Sequence, residues 1–465
     1  MSQIQILNGA SGIYFGAMSS TGNRKLATAA VLLGLVISAF EGTVVTTAMP
    51  TITRALGGSA LYAWVFTAFL LACTLGVMLV GKLGDHLGRK PVFIGGIALF
   101  LVGSALCGAA TSVPWLIAFR VVQGLGAGAI QPTTMTIAAD LYTLKERAVV
   151  QSIFTGVWGL ANVLGPVIGG WIVGHASWRW VFLVNLPVSL LAGALLMVSY
   201  RDPARKPGKV DLWGPVLAGS SVALLLIGLE PDNSALLRIA LAAAGLVLGA
   251  IFLAQQRGSS EPLVPPEYLR DRTVQSGLLG GAVAGALLYS TTAYVPLWMT
   301  SHGYSALLAG VALVPMLGGW ALGSMFGVQV MIRGGMRASV GGGFALAAIG
   351  AMLLAVVVGA HEPIVWAFVT LAVLGIGLGP AASTATIGPQ SVVPWRARSV
   401  VTSAVYSTRM LGGAVAIALL HLWHGSPDLQ VMLIAPIATL GGLLLLPLSP
   451  AGRMAGTEGL DLAVE

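Results

Sequence analysis

Fourteen apolar segments of about 18 to 28 residues follow one another along this chain, separated by short stretches rich in glycine, proline and charge. A helix needs about 20 apolar residues to cross the hydrocarbon core of a bilayer. Open strands cannot cross it, because lipid offers no hydrogen-bond partners to free backbone groups. Only 9% of the residues are charged, against roughly 25% in soluble domains. The segments therefore predict an all-α membrane protein.

The basic residues orient these segments. If the first segment starts on the cytoplasmic side, nineteen of the 24 Lys and Arg residues fall in cytoplasmic loops or tails. Such an excess is typical of cytoplasmic loops, so we expect both termini in the cytoplasm and a location in the cell (inner) membrane. The start of the chain lacks the pattern of a signal peptide, so we expect no removable leader. The predicted spans 1 to 14 are residues 26–50, 60–81, 91–110, 114–138, 148–174, 179–199, 213–230, 236–255, 273–300, 305–332, 338–360, 363–388, 398–423 and 428–449.

Two polar stretches, RDPARKPGKVD at 201–211 and QQRGSSEPLVPPEYLRDR at 255–272, divide the spans into groups of six, two and six. Paired halves are a common plan of secondary transporters. We therefore predict two six-helix bundles with an inserted hairpin of helices 7 and 8. The predicted boundaries are 1–25 for a cytoplasmic segment, 26–200 for the N-terminal bundle, 201–212 for a linker, 213–255 for the inserted helices, 256–272 for a second linker, 273–450 for the C-terminal bundle and 451–465 for a cytoplasmic tail.

Other classes of function lack support in the sequence. The net charge of +8 is spread over short loops, whereas nucleic-acid binding needs basic residues clustered on one face. No Walker loop and no Cys or His spacing of a metal site occurs. The glycine pattern GLGAGA at 124–129 lies in a span with no strand before it, which argues against a nucleotide site. We expect no enzyme activity, no cofactor, no metal and no nucleic-acid partner.

The loop after span 2, GKLGDHLGRKPVF at 81–93, has the ordered pattern G-x-L-x-D-x-x-G-R-K. Its glycines allow a tight turn, and Asp85 is placed to pair with Arg89 or to cap the next helix. By composition alone this is an ordinary basic loop, but the order resembles the signature loop of the major facilitator superfamily. Gly84 and His86 stand where Ala and Arg are commoner. The resemblance implies a cytoplasmic latch made by Gly81, Asp85, Gly88, Arg89 and Lys90.

Spans 4 and 5 carry further patterns of that family. In span 4, Arg120 precedes Gln123 and GLG in an R-x-x-x-G-x-G pattern, which implies a role for Arg120 in proton transfer; snorkelling to the interface is the alternative. Span 5 reads GLANVLGPVIGGW at 159–171 and resembles the antiporter motif G-x(5)-G-P-x-x-G-G. Small residues also allow close helix packing. The resemblance implies an exporter in which a hinge and a seal against proton leak are formed by Gly159, Gly165, Pro166, Gly169 and Gly170.

Two more stretches point to one branch of the family. SWRWVFLVNLP at 177–187 resembles the W-R-W-x-F-x-x-N-x-P junction of the fourteen-span drug:proton antiporters. EGTVVTTAMPTI at 41–52 resembles D-x-T-x-V-x-x-A-L-P-x-I, with Glu41 where Asp is usual. These signatures cover the first six spans, and spans 9 to 14 match by layout only.

Glu41, Arg120 and Arg409 are charged residues inside spans, where charge costs several kcal/mol unless it faces a partner or a cavity. A rise of 1.5 Å per residue places Glu41 and Gln123 about 13 Å from the outer ends of their spans and Arg120 about 9 Å, so we expect Glu41 to contact Arg120 or Gln123. Burial and a neighbouring arginine act on the pKa of a carboxyl in opposite directions, and the sequence leaves their balance open. The hypothesis is that Glu41 binds an outside proton and releases Arg120 or a cationic substrate; a purely structural pair is the alternative.

Other polar residues offer contacts to a substrate. Arg409 lies about 16 Å into span 13, where it is a candidate fixed charge for an anionic or zwitterionic substrate, a partner for an acid, or a packing residue. Polar handles and stacking faces for an apolar cavity are predicted at Asn162, Tyr289, Tyr294 and Tyr406.

Together these features predict a monomeric, proton-coupled exporter of hydrophobic drugs or dyes, cationic ones among the candidates, that works by alternating access among membrane lipids. A lipid or amphiphile translocase of the same fold and a non-transporting sensor are the alternatives. An uptake symporter is disfavoured by the span-5 pattern.

Overall fold

The computed structural model describes residues 23–142, 144–202, 213–228, 233–258, 267–394, 398–423 and 425–450. Most of the predicted N-terminal segment and linkers, and the C-terminal tail, lie outside the described residues. The described part is helical, which confirms the predicted all-α fold. Its helices are α1 (Arg24–Leu56), α2 (Tyr62–Leu87), α3 (Arg89–Ala109), α4 (Val113–Leu141), α5 (Leu144–His175), α6 (Trp180–Leu183), α7 (Asn185–Ser199), α8 (Trp213–Gly228), α9 (Ala235–Gly258), α10 (Arg272–Ser301), α11 (Ala306–Val311), α12 (Val314–Gly359), α13 (Val365–Val392), α14 (Arg398–His421), α15 (Pro427–Met432) and α16 (Ile434–Leu448).

Each predicted span overlaps a helix of the described residues. Twelve segments in the described residues are long and apolar enough to cross a membrane. The remaining two predicted spans, 5 and 7, correspond to α5 with 32 residues and to the shorter α8 with 16. Spans 10 and 11 run together in α12, which breaks at Gly335 with φ 80° and ψ 175°. Glycine adopts such a positive φ without a steric penalty, so the turn between these two spans depends on it.

Polar side chains cap the N-termini of α1 and α10. The Asn23 side chain accepts hydrogen bonds from the backbone N–H groups of Lys25 and Leu26 at the start of α1. Asp271 does the same for Thr273 and Val274 at the start of α10. Such caps satisfy backbone donors that have no partner within the helix. They fix where the first helix of each bundle starts.

The helices pack as two bundles with a peripheral hairpin. In the first bundle α1 packs on α5 and α7, and in the second α10 packs on α13 and α14. The bundles meet where α2 packs on α14 and α5 on α11. Helix α9 packs on α8, which packs on α2, and most of α9 is exposed. The inserted helices therefore lie outside the contact between the bundles.

The two ends of the molecule differ. We define the basic end as the one that carries the turn at Gly88 and the break at Gly335. At the opposite end the Tyr62 hydroxyl donates to the Ala293 carbonyl at 2.6 Å, and His421 Nε2 lies 2.5 Å from the Ala60 carbonyl oxygen. Both contacts join one bundle to the other, so the opposite end is closed.

Helices α10 and α14 cross at glycine, which gives a stability prediction. A Cβ at Gly285 would overlap the carbonyl oxygen of Arg409, a backbone atom that cannot rotate away. We expect Gly285→Ala to destabilise the protein by about 1–3 kcal/mol through overpacking, measured as a lower melting temperature in detergent. Gly318→Ala is the control, because a Cβ there meets no atom within 4 Å. Equal melting temperatures for both variants would contradict the proposed crossing.

Candidate functional site

The centre of the first bundle holds a fully buried ion pair. Glu41 on α1 is 0% exposed and Arg120 on α4 is 2% exposed. Arg120 donates from NH1 to Oε1 of Glu41 in a salt bridge. The other carboxylate oxygen, Oε2, accepts a hydrogen bond from Nδ2 of Asn185 at 2.6 Å. Both oxygens of the acid are therefore bound by donors from other helices.

A second set of groups holds Arg120. Gln123 lies three residues further along α4, on the same helix face, and its Oε1 accepts from Arg120 NH1 at 2.8 Å. Its Nε2 donates to Oγ of Ser104 at 2.8 Å. The guanidinium carbon also lies 3.8 Å from the centre of the Phe69 ring, a favourable cation–π position. The structure thus brings together the three residues that depth counting placed at similar levels.

Asn185 and Ser104 were absent from the predicted site. Asn185 is the asparagine of the WRWVFLVNLP junction, so its signal was present in the sequence as a motif position. The motif gave no direction for its side chain, because the first turns of α7 could face either α1 or lipid. Ser104 lies in an ordinary apolar stretch of α3, and no pattern marks it.

The Asn185 contact gives a second prediction. Asn185→Leu removes the donor to Oε2 and leaves a buried carboxylate oxygen without a partner. We expect a loss of about 1–3 kcal/mol in the free energy of unfolding. Ser189→Ala is the matched control one turn along α7, because the buried Ser189 hydroxyl has no hydrogen-bond partner among the described residues. Detergent melting curves that shift equally for both variants would contradict a role for Asn185 in holding Glu41.

A cavity lies between the two bundles, beside the ion pair. The space between its lining residues, open solvent included, is about 770 Å³. Helices α1, α2 and α4 line it from one bundle, and α10 and α14 from the other. Its polar lining residues are Ser38, Thr43, Gln131, Tyr289, Thr292, Tyr406 and Arg409. A smaller adjoining cavity is lined by Glu41 and Arg120 and shares Tyr289 with the first. The ion pair therefore borders the space between the bundles.

Arg409 lines this cavity without an acidic partner among the described residues. Its NH2 donates to the Ala382 carbonyl at 3.2 Å and to Oγ1 of Thr386 at 3.0 Å. The rings of Tyr406 and Trp320 lie 5.1 and 5.9 Å from its guanidinium carbon. Trp320 was not predicted, since nothing in span 10 links it to span 13.

Of the predicted cavity residues, Tyr294 occupies a different position, and the side chain of Asn162 is not among the described ones. Tyr294 is fully buried and does not line either cavity; its hydroxyl donates to the Ile417 carbonyl at 2.7 Å. It packs against Tyr62 in the closed opposite end. In this structure Tyr294 therefore packs between helices and does not line the cavity as predicted. The side chain of Asn162 lies outside the described residues.

The predicted latch residues stand at the basic end. Arg89 forms a salt bridge with Asp140, at the end of α4, and donates to the Thr136 carbonyl at 3.0 Å. Lys90 Nζ donates to the Tyr200 carbonyl at 2.8 Å, and the Lys90 backbone N–H donates to Asp202 at 2.9 Å. Gly88 has φ 97°, which suits glycine alone. The loop therefore joins α3 to the ends of α4 and α7. The side chain of Asp85 and the surroundings of Gly81 lie outside what the structure describes.

The antiporter-like glycines of α5 are positions of close packing. A Cβ at Gly169 would lie 2.6 Å from the Val44 carbonyl oxygen on α1, and one at Gly170 would lie 2.6 Å from Cα of Leu307 on α11. Gly165 faces Thr43, and the Pro166 carbonyl faces Gly310 on α11. Gly159 is less tightly packed, because a Cβ there would lie 3.7 Å from its nearest neighbour, Cβ of Ala321. These positions bring α5 against both bundles near the closed opposite end.

The two-bundle arrangement with a buried charge beside the central cavity invites comparison with known proteins. The sequence profile of the Major Facilitator Superfamily matches residues 31–417. The chain belongs to the major facilitator superfamily.

Relatives and solved structures of this superfamily agree with that membership. The chain is 33% identical to the multidrug transporter protein MdtP of Bacillus subtilis over 408 residues, which is 85% of this chain and 74% of MdtP. It is 32% identical to multidrug resistance protein 3 of the same organism over 383 residues, 79% of this chain and 74% of that one. The crystal structure of a D-xylose-proton symporter superposes with a TM-score of 0.67 at 13% identity, covering 92% and 99% of the two chains. This major facilitator protein is therefore a multi-pass membrane transporter, and its fold is that of solved transporters.

Proposed function

We propose that the protein exports hydrophobic drugs or dyes in exchange for protons, as a member of the fourteen-span drug:proton antiporters. The observation that carries the proposal is the Glu41–Arg120 pair, a fully buried acid that borders the cavity between the bundles. The similarity to a multidrug transporter and a multidrug resistance protein of Bacillus subtilis supports drugs as the cargo. The basic end lies in the cytoplasm of the inner membrane in this proposal, with both termini inside.

The chemistry follows from the contacts of Glu41. When the carboxylate is ionised, it attracts Arg120 and accepts the Asn185 hydrogen bond. A proton on Oε1 or Oε2 removes the negative charge and turns one acceptor into a donor. Protonation therefore weakens the attraction to Arg120 and changes the charge beside the cavity. Proton and substrate can then alternate at one cavity without touching each other.

The different contacts at the two ends of the molecule support alternating access of the cavity to the two sides of the membrane. The opposite end, which faces outward in this proposal, is closed by Tyr62 and His421 contacts across the bundles. The latch residues Arg89 and Lys90 hold the basic end of the first bundle together. Opening of the opposite end, together with closure of the basic end, would then expose the cavity to the outside of the cell.

The test is transport by purified protein in liposomes with an imposed pH gradient. We expect hydrophobic dyes to move against their gradient only while the pH gradient lasts, and a proton ionophore to stop the movement. A panel of cationic, neutral and anionic compounds and fluorescent lipids identifies the cargo. Lipid movement that ignores the pH gradient would instead favour a lipid translocase, and movement of no compound would contradict a transport role. In cells, the same proposal predicts resistance to exported antibiotics.

A further inference from the structure

The cavity between the bundles carries an excess positive charge. Among the described residues, Arg409 is the charged residue of its lining, and Glu41 and Arg120 line the smaller adjoining cavity. Glu41 and Arg120 neutralise each other in the salt bridge. Arg409 is left with one positive charge and no carboxylate within salt-bridge distance in the described residues. The expectation of cationic substrates rested on Glu41, and that acid is already paired.

The guanidinium of Arg409 is only partly satisfied. Arginine has five N–H donors in a fixed planar group, and the bonds to Ala382 and Thr386 come from NH2 alone. Nε is buried and has no hydrogen-bond partner in the part of the chain that the structure describes. The side chain is 8% exposed, so water cannot hydrate it as it would at a surface. A buried charge of this kind is normally paired, and an anion in the cavity is the partner that the described residues lack.

Aromatic side chains surround the charge. Tyr406 lies one turn before Arg409 on α14, and Tyr289 lines the same cavity from α10. Their rings, with the apolar Leu288 and Met410, suit a flat apolar group. Gln131 adds an amide from the first bundle. The cavity thus combines one fixed cation with apolar and aromatic walls.

We propose that the preferred cargo is an amphiphilic organic anion, with its acidic group on Arg409 and its aromatic body against Tyr289 and Tyr406. The inference rests on the proposed export function and narrows its substrate class. A hydrogen-bonded charge pair in this cavity discriminates a carboxylate from a neutral amide of the same shape, because only the carboxylate neutralises the guanidinium. An ammonium analogue meets repulsion from the same group.

The experiment measures equilibrium binding to the full-length protein in detergent, at one pH and without a gradient. The probes are naphthaleneacetate, naphthaleneacetamide and naphthaleneethylammonium, which share one aromatic body. We expect the carboxylate to bind at least about tenfold more tightly than the amide, and the ammonium to bind most weakly. Arg409→Gln should remove the preference for the carboxylate and leave the affinity for the amide within about twofold. Arg409→Lys keeps the charge but loses the planar guanidinium, so it should retain a smaller preference for the carboxylate.

Arg238→Gln is the control, since this exposed arginine on α9 lies outside the cavity, and it should leave all three affinities unchanged. Equal binding of the three probes by the wild-type protein, or tightest binding of the ammonium, overturns the inference. If Arg409→Gln is not recovered in folded form, the wild-type order of the probes still decides. Binding needs no pH gradient, so the two proposals can fail separately. An anion preference without gradient-driven transport would contradict only the export function. Gradient-driven transport without an anion preference would contradict only this inference.

Discussion

Glu41→Gln is expected to abolish gradient-driven transport while the protein remains folded. Glutamine has the same shape as glutamate and keeps an oxygen for the Arg120 donor, but it leaves Arg120 without a counter-charge and cannot take up or release a proton. We expect transport against a substrate gradient to fall to the rate of protein-free liposomes. Exchange of substrate for substrate at equal pH should persist, because it requires movement between the two states and no net proton transfer.

The control for this variant is Glu362→Gln, an exposed acid outside both cavities. It should keep the wild-type response to a pH gradient. Substrate binding by the wild-type protein should also change with pH, and binding by Glu41→Gln should be flat over the same range. Gradient-driven transport that survives in Glu41→Gln would show that Glu41 is a structural partner of Arg120 and that the proton is carried elsewhere.

Arg120→Gln is expected to cost more stability than any other single change proposed for this protein. It leaves the Glu41 carboxylate buried with a donor from Asn185 and without a counter-charge. Removal of one partner from a buried ion pair destabilises proteins by about 3–5 kcal/mol. We expect a large fall in the detergent melting temperature, with poor recovery of monodisperse protein.

The double variant Glu41→Gln with Arg120→Gln separates charge from packing. With both charges removed, the neutral side chains can hydrogen-bond to each other, and a buried pair replaced as a whole is often close to neutral in stability. We therefore expect the double variant to melt near the wild-type temperature and to lack gradient-driven transport. A double variant as unstable as Arg120→Gln would indicate that Arg120 acts through its contacts to Gln123 and Phe69 rather than through the charge of Glu41.

Several features could be predicted from sequence because they depend on local pattern and helix geometry. The apolar segments follow from the length of a membrane crossing. Depth counting placed Glu41 near Arg120 because the rise per residue of a helix is constant. The structure brings these side chains together, and their roles in proton transfer remain predictions.

Features that depend on helix rotation and long-range packing could not be predicted in the same way. Arg89 forms a salt bridge with Asp140 on another helix, a contact between positions 51 residues apart that no local pattern indicates. Tyr294 has the polar hydroxyl expected of a cavity residue, but the rotation of α10 turns it towards a backbone carbonyl in the closed end. Depth along the membrane gives no information on which way a side chain faces.

The contacts that close the opposite end have a consequence for how freely the sequence can change there. Tyr62 and His421 both reach backbone carbonyl oxygens, at Ala293 and Ala60. Every residue type offers a carbonyl at these two sites, so the hydrogen bonds constrain only the donor positions. Related chains can therefore vary at 60 and 293 within the limits of side-chain size and still close this end, provided that they keep a donor at 62 and 421.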